Sequence, residues 1–393
     1  MKKRIVVLIL LFAMSMLPVF AAGANPAMRK EYGFNSFDAV RTVSRKRTVS
    51  GRGTYVTSSY KITYIKSDKC KVVMDVWDRD DIDLFEIRKN GNALELVTDM
   101  KKYPYKSPKV KSPVADVYIY APFFADVSLS GDNSMTVEGG EFSGKSLNVK
   151  LSGIATLSGL GGSWNNVRVG LSGVAKFKCL NLNSSVCDVD CSGSTIISGK
   201  DLSVSEYLTM KLSGGSSVSF EGVKTPSFVG EFSGVSKLVA SSLDSKQLKT
   251  NISGSSSVSV NVLKSDMCGG EFSGVSKFIA KDVSVNKLDA TISGASNLTF
   301  TGKVSESEIE LSGAATLDLS GSGSRLDVTV SSAALVRAKY FSVVNASVNL
   351  TGASQAKVTV TGNLKADVAR SAQLDYYGNP KITISNPDNV RGH

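Results

Sequence analysis

A tripeptide ending in Ser-Gly returns every 20 residues or so through most of this chain, and that period restricts the fold more than any other feature. Leu151-Ser152-Gly153 is followed by Leu171-Ser172-Gly173, Cys191-Ser192-Gly193, Leu212-Ser213-Gly214, Phe232-Ser233-Gly234, Ile252-Ser253-Gly254, Phe272-Ser273-Gly274, Ile292-Ser293-Gly294 and Leu311-Ser312-Gly313. The steps between glycines are 20, 20, 21, 20, 20, 20, 20 and 19 residues. Degenerate copies continue at Ser331-Ser332, Thr351-Gly352 and Arg370-Ser371. A unit this short has no room for the helix pairs of longer solenoid repeats.

Within each unit apolar and polar residues alternate, which is the period of a strand with one buried face. Inward columns are expected six residues before each glycine (Leu147, Val167, Cys187, Leu208, Phe228, Leu248, Cys268, Leu288), two before it, and four after it (Leu157, Phe177, Ile197, Val218, Leu238, Val258). Lys176, Ser217, Lys237, Ser257 and Lys277 interleave on the outside. The sequence therefore predicts an all-β fold, a parallel β-solenoid or β-helix of about twelve turns of ~20 residues each, with equivalent strands about 4.8 Å apart. A smaller, hairpin-rich N-terminal β unit precedes it. Glycine takes positive φ at little cost, so Ser-Gly reads as a corner whose hydroxyl bonds one rung away. Some ten identical serines in register cannot each be nucleophiles, and no general base accompanies them.

The expected organisation is a signal peptide over 1–24, an N-terminal β unit continuous with the solenoid over 25–130, the Ser-Gly solenoid over 131–380 and a C-terminal tail over 381–393. Lys2-Lys3-Arg4, the apolar run to Phe20 and the small residues that follow fit a secretory leader, and no later run is long enough to span a membrane. The first cysteine, Cys70, lies far from the cleavage region, so a lipidated N-terminal cysteine is not expected. The product is then exported through the inner membrane, to the periplasm, the outer surface or the medium. Duplication of paired turns accounts for its length, since Glu231-Phe232-Ser233-Gly234-Val235-Ser236-Lys237 returns 40 residues later as Glu271-Phe272-Ser273-Gly274-Val275-Ser276-Lys277.

Charge is uneven: residues 25–130 hold 19 basic and 13 acidic side chains, against 24 and 22 in residues 131–393. A nearly neutral rod offers no cationic track for phosphates, so nucleic acid is excluded as a partner. The basic residues concentrate at Arg41, Arg45, Lys46, Arg47 and Arg52 and again over Lys101–Lys111.

The Ser-Gly turns, the segment Leu374-Asp375-Tyr376-Tyr377-Gly378-Asn379-Pro380-Lys381-Ile382 and the hairpin residues Arg88–Leu96 and Val117–Pro122 are similar to the bacterial auto-transporter adhesin head GIN domain family. That resemblance implies an exported β protein of the Bacteroidetes type, with a role in adhesion or surface architecture and no catalytic residues to carry over.

Histidine occurs once, at His393, which removes triads, Cys/His dyads and His-ligated zinc together. Neither a catalytic residue nor a metal nor a cofactor is assigned. Of the five cysteines, Cys179, Cys187, Cys191 and Cys268 fall on inward columns and read as free buried thiols. The acidic run Asp75, Asp78, Asp80, Asp81 and Asp83 reads as a solvated turn rather than a calcium loop, for it lacks the glycine such a loop needs. Candidates for a binding surface are Trp77 and the irregular segment Tyr103, Tyr105, Lys106 and Lys109. The expected function is a non-enzymatic, adhesin-like or scaffold protein of the cell envelope, with a polysaccharide or envelope protein as partner. The alternative is a carbohydrate-active β-helix enzyme using outward carboxylates such as Glu231 and Glu271. Self-association, through the sides or through the weaker Ser331 and Ser371 turns, is a further expectation.

Overall fold

The computed structural model describes residues 26–45, 58–99 and 112–393. The chain is a parallel β-solenoid of about 13 turns with a smaller strand unit at its N-terminal end. The strands in chain order are β1 (Met28–Gly33), β2 (Ala39–Arg45), β3 (Ser59–Lys66), β4 (Lys71–Val76), β5 (Phe85–Asn90), β6 (Ala93–Asp99), β7 (Val114–Ala121), β8 (Asp126–Leu129), β9 (Ser134–Glu138) and β10 (Phe142–Leu151). Then come β11 (Thr156–Leu171), β12 (Lys176–Cys191), β13 (Ile196–Leu212), β14 (Ser217–Phe232), β15 (Lys237–Ile252), β16 (Ser257–Phe272), β17 (Lys277–Ile292), β18 (Asn297–Leu311), β19 (Thr316–Val330), β20 (Leu335–Leu350) and β21 (Gln355–Val368). Three short strands end the chain, β22 (Gln373–Tyr377), β23 (Lys381–Ser385) and β24 (Val390–Gly392).

Each strand from β11 to β20 pairs in parallel with the next, about one period along the chain. In β15 the buried residues alternate with exposed ones except at two places, Ser241-Ser242 and Lys246-Gln247, where neighbours are both exposed. Those doublets bend the strand without breaking it, and Ser-Gly makes the third corner. The predicted inward columns are buried throughout, from Leu157 and Phe177 to Leu317 and Val336.

At the third corner Gly153, Gly173, Gly193, Gly214, Gly234, Gly254, Gly274, Gly294 and Gly313 all have φ between 65° and 79°. A Cβ added to Gly234 would lie 2.7 Å from the carbonyl oxygen of Gly214, so a side chain there is strained in space as well as in conformation. The serine before the glycine bonds backward, as Ser213, Ser253 and Ser293 do to the carbonyls of Cys191, Phe232 and Phe272 at 3.3, 3.3 and 3.4 Å. The hydroxyl-to-hydroxyl ladder is a different column, two residues after the glycine. There Thr195 meets Ser216, Ser236 meets Ser256 and Ser276 meets Ser296, each pair at 3.1 Å and fully buried.

The ends of the rod depart from the expected register. The rod begins a turn earlier, at Leu129-Ser130-Gly131, where Gly131 has φ 75° and underlies Gly153. At the other end Ala369, rather than Arg370, takes the serine position, since its N–H bonds the carbonyl of Leu350. Arg370-Ser371 is thus displaced by one residue. The 381–393 segment, expected as a tail, carries β23 paired with β21 and β24 paired with β22.

At the N-terminal end, β8 and β9 rest on β2 and β3, which rest in turn on β6 and β7, all in parallel. Antiparallel strands close this end, with β1 and β7 flanking β4 and β5 paired to β6. Tyr64, Phe124 and Phe142 plug the interior, with Tyr64 and Phe142 ring centroids 4.6 and 5.1 Å from that of Phe124.

Candidate binding surfaces

β2 and β6 end, and β3 and β7 begin, at the corner where later rungs carry Ser-Gly. Tyr103, Tyr105, Lys106 and Lys109 themselves lie outside the described residues.

Trp77 lies at that corner. It follows β4, whose last residue, Val76, faces Ala115, next to the first residue of β7. The indole is 46% exposed, yet its Nε1–H donates to the carboxylate of Asp116, which fixes the ring. Behind it Arg29 grips Asp75 through two hydrogen bonds of 2.7 Å, and Asp75 faces Asp116 across the strand pair. The Tyr118 phenol beside them is held above its usual range, first by partial burial and then by Asp116 and Asp75. An oriented aromatic face rimmed by charged groups can stack on the apolar face of a sugar and bond its hydroxyls.

Asp75 is thus a buried partner of Arg29 and not part of the solvated turn. The rest of the acidic run forms one, a 3-10 turn over Arg79–Leu84 in which the Asp78 carboxylate accepts the Asp80 N–H at 3.1 Å. No cluster of three potential metal ligands occurs among the described residues.

Along the rod the charged columns form single cross-rung pairs. Lys211 meets Glu231 at 3.3 Å, Lys287 meets Glu308 at 3.3 Å and Arg168 meets Asp188 at 3.8 Å, all exposed and each contributing about 0–1 kcal/mol. Glu231 and Glu271 stand two rungs apart, roughly 10 Å at the strand spacing. Asn251 lies between them, its side-chain oxygen accepting the Glu271 N–H at 3.4 Å.

The cysteines on the inward columns are buried, and burial pushes the thiols of Cys179, Cys187 and Cys268 up to about 12 and that of Cys191 to about 11. The folded chain keeps these protons where the unfolded chain releases them, above about pH 8.5. Stability should therefore be unaffected below that pH and fall as pH rises toward 11–12, by at most about 1.4 kcal/mol per unit for each thiol. Thermal melts at pH 7 and pH 10 measure this. In the native protein only Cys70, which is partly exposed, should react readily with a thiol reagent. All five cysteines should react once it is denatured without reductant, and a smaller titre would contradict the reading.

A feature that the column analysis missed is an open groove of about 530 Å³ along the second corner, bounded by Trp164 at one end and Pro226 and Lys246 at the other. Its origin is the one 21-residue step, from Gly193 to Gly214. The extra residue is absorbed in β13, where register shifts between Ser203 and Tyr207 push Ser205, Glu206 and Tyr207 outward. Regular rungs make a smooth wall, and this bulge raises one side of it. The step length was the available signal.

The model of one family, described as "Putative auto-transporter adhesin, head GIN domain", matches residues 54–223 and 271–380. Comparison with curated proteins finds no match. Among solved structures, a putative adhesin from Parabacteroides merdae is 13% identical, with 93% of this chain and 92% of that chain covered and a TM-score of 0.20. A putative adhesin from Parabacteroides distasonis is 15% identical over 94% and 96% of the two chains, with a TM-score of 0.22. A protein of the same organism described as a putative lipid binding protein is 13% identical over 94% and 95%, with a TM-score of 0.21. The matched stretches of the family model take in the N-terminal unit and both halves of the rod, and together they span more than half of the sequence. This chain belongs to the auto-transporter adhesin head GIN domain family.

Proposed function

We propose that this chain is an exported, non-enzymatic adhesin-like protein of the cell envelope, whose N-terminal corner binds an acidic envelope polysaccharide and whose rod carries that corner. The observation that supports it most is the exposed, hydrogen-bonded Trp77, in the part of the chain, residues 25–130, where basic side chains outnumber acidic ones by 19 to 13. Stacking on that ring and the positive charge of this unit would both favour an acidic glycan. Among the described residues no helix is long and apolar enough to cross a membrane.

The competing enzymatic reading requires two carboxyl groups poised across a bond, one of them desolvated to hold its proton. Glu231 is half exposed and tied to Lys211, and Glu271 is exposed. Repeated outward pairs on successive rungs fit a solubilising wall better.

Binding to immobilised acidic polysaccharide, with salt varied, tests the proposal. Trp77→Ala should weaken binding about tenfold, in line with the energy of one base- or sugar-type stacking contact, and rising salt should weaken it further. Equal binding by Trp77→Ala and wild type would remove the site. Cleavage of any glycan in an acidic panel would remove the non-enzymatic reading.

A further inference from the structure

The groove at the 21-residue turn is a second candidate site, and its lining is unlike that of the N-terminal corner. Its wall is a column of side chains in strict register, Ser163, Asn183, Ser203, Lys224, Asp244 and Lys264, one from each of β11 to β16. A second cavity of about 500 Å³ shares Asn183, Ser203, Lys224 and Asp244 with the first, so the two form one trough. It crosses six rungs, or roughly 24 Å.

The floor is incomplete. In the inward column Trp164, Ser184 and Val204 follow one another on successive rungs. Serine is much smaller than Trp164, and all three residues line the groove. Trp164 and Ser184 are 3% and 8% exposed, and the indole nitrogen and the hydroxyl each lack a hydrogen-bond partner. On later rungs of this corner the same column is satisfied, as where Thr225, Ser245 and Ser265 donate to the carbonyls of Ser227, Gln247 and Met267 at 2.9, 2.8 and 2.8 Å. Buried polar atoms without partners call for an explanation, and here the residues that carry two of them line the same groove.

From this we infer that the trough is a binding site for a neutral, linear polysaccharide, with a sugar seated over Ser184 beside Trp164. Length and open ends suit a chain rather than a single sugar. Serine hydroxyls and asparagine amides both donate and accept, which matches the hydroxyls of a glycan. The lining of the two cavities carries Lys224, Lys246 and Lys264 against Asp201 and Asp244, three positive charges to two negative, so charge nearly cancels. An extended peptide fits less well, because the main-chain groups of these rungs are paired in the parallel ladder except at the bulge between Ser203 and Tyr207, which is too short to zip to a strand. This site is separate from the Trp77 corner and its existence does not depend on that reading.

The chain has two tryptophans, so Trp77→Ala leaves Trp164 as the single indole reporter and removes the stacking ring of the other proposed site. Its emission should shift on titration with a hexasaccharide of β-1,4-linked glucose or of β-1,4-linked N-acetylglucosamine, with little dependence on salt. Ser184→Leu, which fills the floor, should reduce that affinity at least tenfold while leaving the circular dichroism unchanged. Asn183→Arg, at an exposed position on the wall, should do the same without touching the interior. The inference is overturned if neither hexasaccharide shifts the emission, or if both variants bind as well as their parent. It is equally overturned if only galacturonate oligomers bind with steep salt dependence, or if a peptide of alternating valine and serine is the ligand that shifts the emission. Loss of acidic-polymer binding in Trp77→Ala with these results intact would concern the N-terminal corner alone.

Discussion

Gly234→Val should destabilise the rod by on the order of 4 kcal/mol, combining the cost of a left-handed β-branched residue with a steric conflict. Gly234 has φ 70°, and its added Cβ would press on the backbone of Gly214 at 2.7 Å from the oxygen. Neither turn can yield alone, since Gly254 stacks on Gly234 in the same way, and a Cβ there would lie 2.6 Å from the Gly234 oxygen. Because each turn touches only its neighbours, the damage should be local. Hydrogen exchange should speed first in β14 and β15, ahead of the global melt. Ser332 supplies the converse, since it occupies the same corner at φ 63° with a side chain. Ser332→Gly should stabilise by about 0.5–1 kcal/mol, the relief of left-handed strain less the entropy of the added glycine. Equal melting of Gly234→Val and wild type would show that the corner does not depend on glycine.

Arg29→Met should cost about 1–3 kcal/mol, the penalty of leaving the buried Asp75 carboxylate without its partner, less than for a fully buried pair because the arginine side chain is 47% exposed. Asp75 is 4% exposed, holds Arg29 through both carboxylate oxygens and faces Asp116 across β4 and β7. Without Arg29 two carboxylates oppose each other with no cation between them. Adding Asp75→Asn to Arg29→Met should recover most of the loss, and denaturant melts of the two variants decide it. If the double variant were no more stable than the single, packing of the arginine stem rather than charge would be responsible. Since β1 and β4 close the open end of the rod, the loss should appear as fraying of the N-terminal unit with the distant turns intact.

The fold was legible because one period carried it. Glycine at the corner, alternation along the strand and repeated Leu, Phe and Val at fixed offsets agree with one another, and such agreement across levels specifies a single backbone. The first turn escaped notice because Gly131 and Gly153 are 22 residues apart, the surplus being taken up near Gly139-Gly140, where φ is 95° and 108°. The last slipped by one because Arg370 offers no glycine to mark the corner. The serine before the glycine does bond one rung back, to the backbone, while the buried hydroxyl ladder lies three residues further on, since serine before glycine and serine two after it look alike in a sequence but differ in burial.

The sites were less legible for a physical reason. Trp77 stood out as one of two tryptophans, but its bond to Asp116 joins residues 39 apart. The trough depends on a difference in volume between Trp164 and Ser184 one rung away, and on a single extra residue in β13. A search for sameness between turns passes over such contrasts, although they are where a regular wall opens.

The repeated turns also make the molecule a ruler. Every rung from β11 to β20 extends the rod by the same step, and the copied pair at Glu231–Lys237 and Glu271–Lys277 shows the increment by which it lengthens. Adding such a pair beyond β16 would move the C-terminal end about 10 Å further from the Trp77 corner. It would leave that corner, the trough and the distance between them unchanged. The reach of a binding site from whatever holds the other end is thus a count of turns, adjustable without altering what is bound.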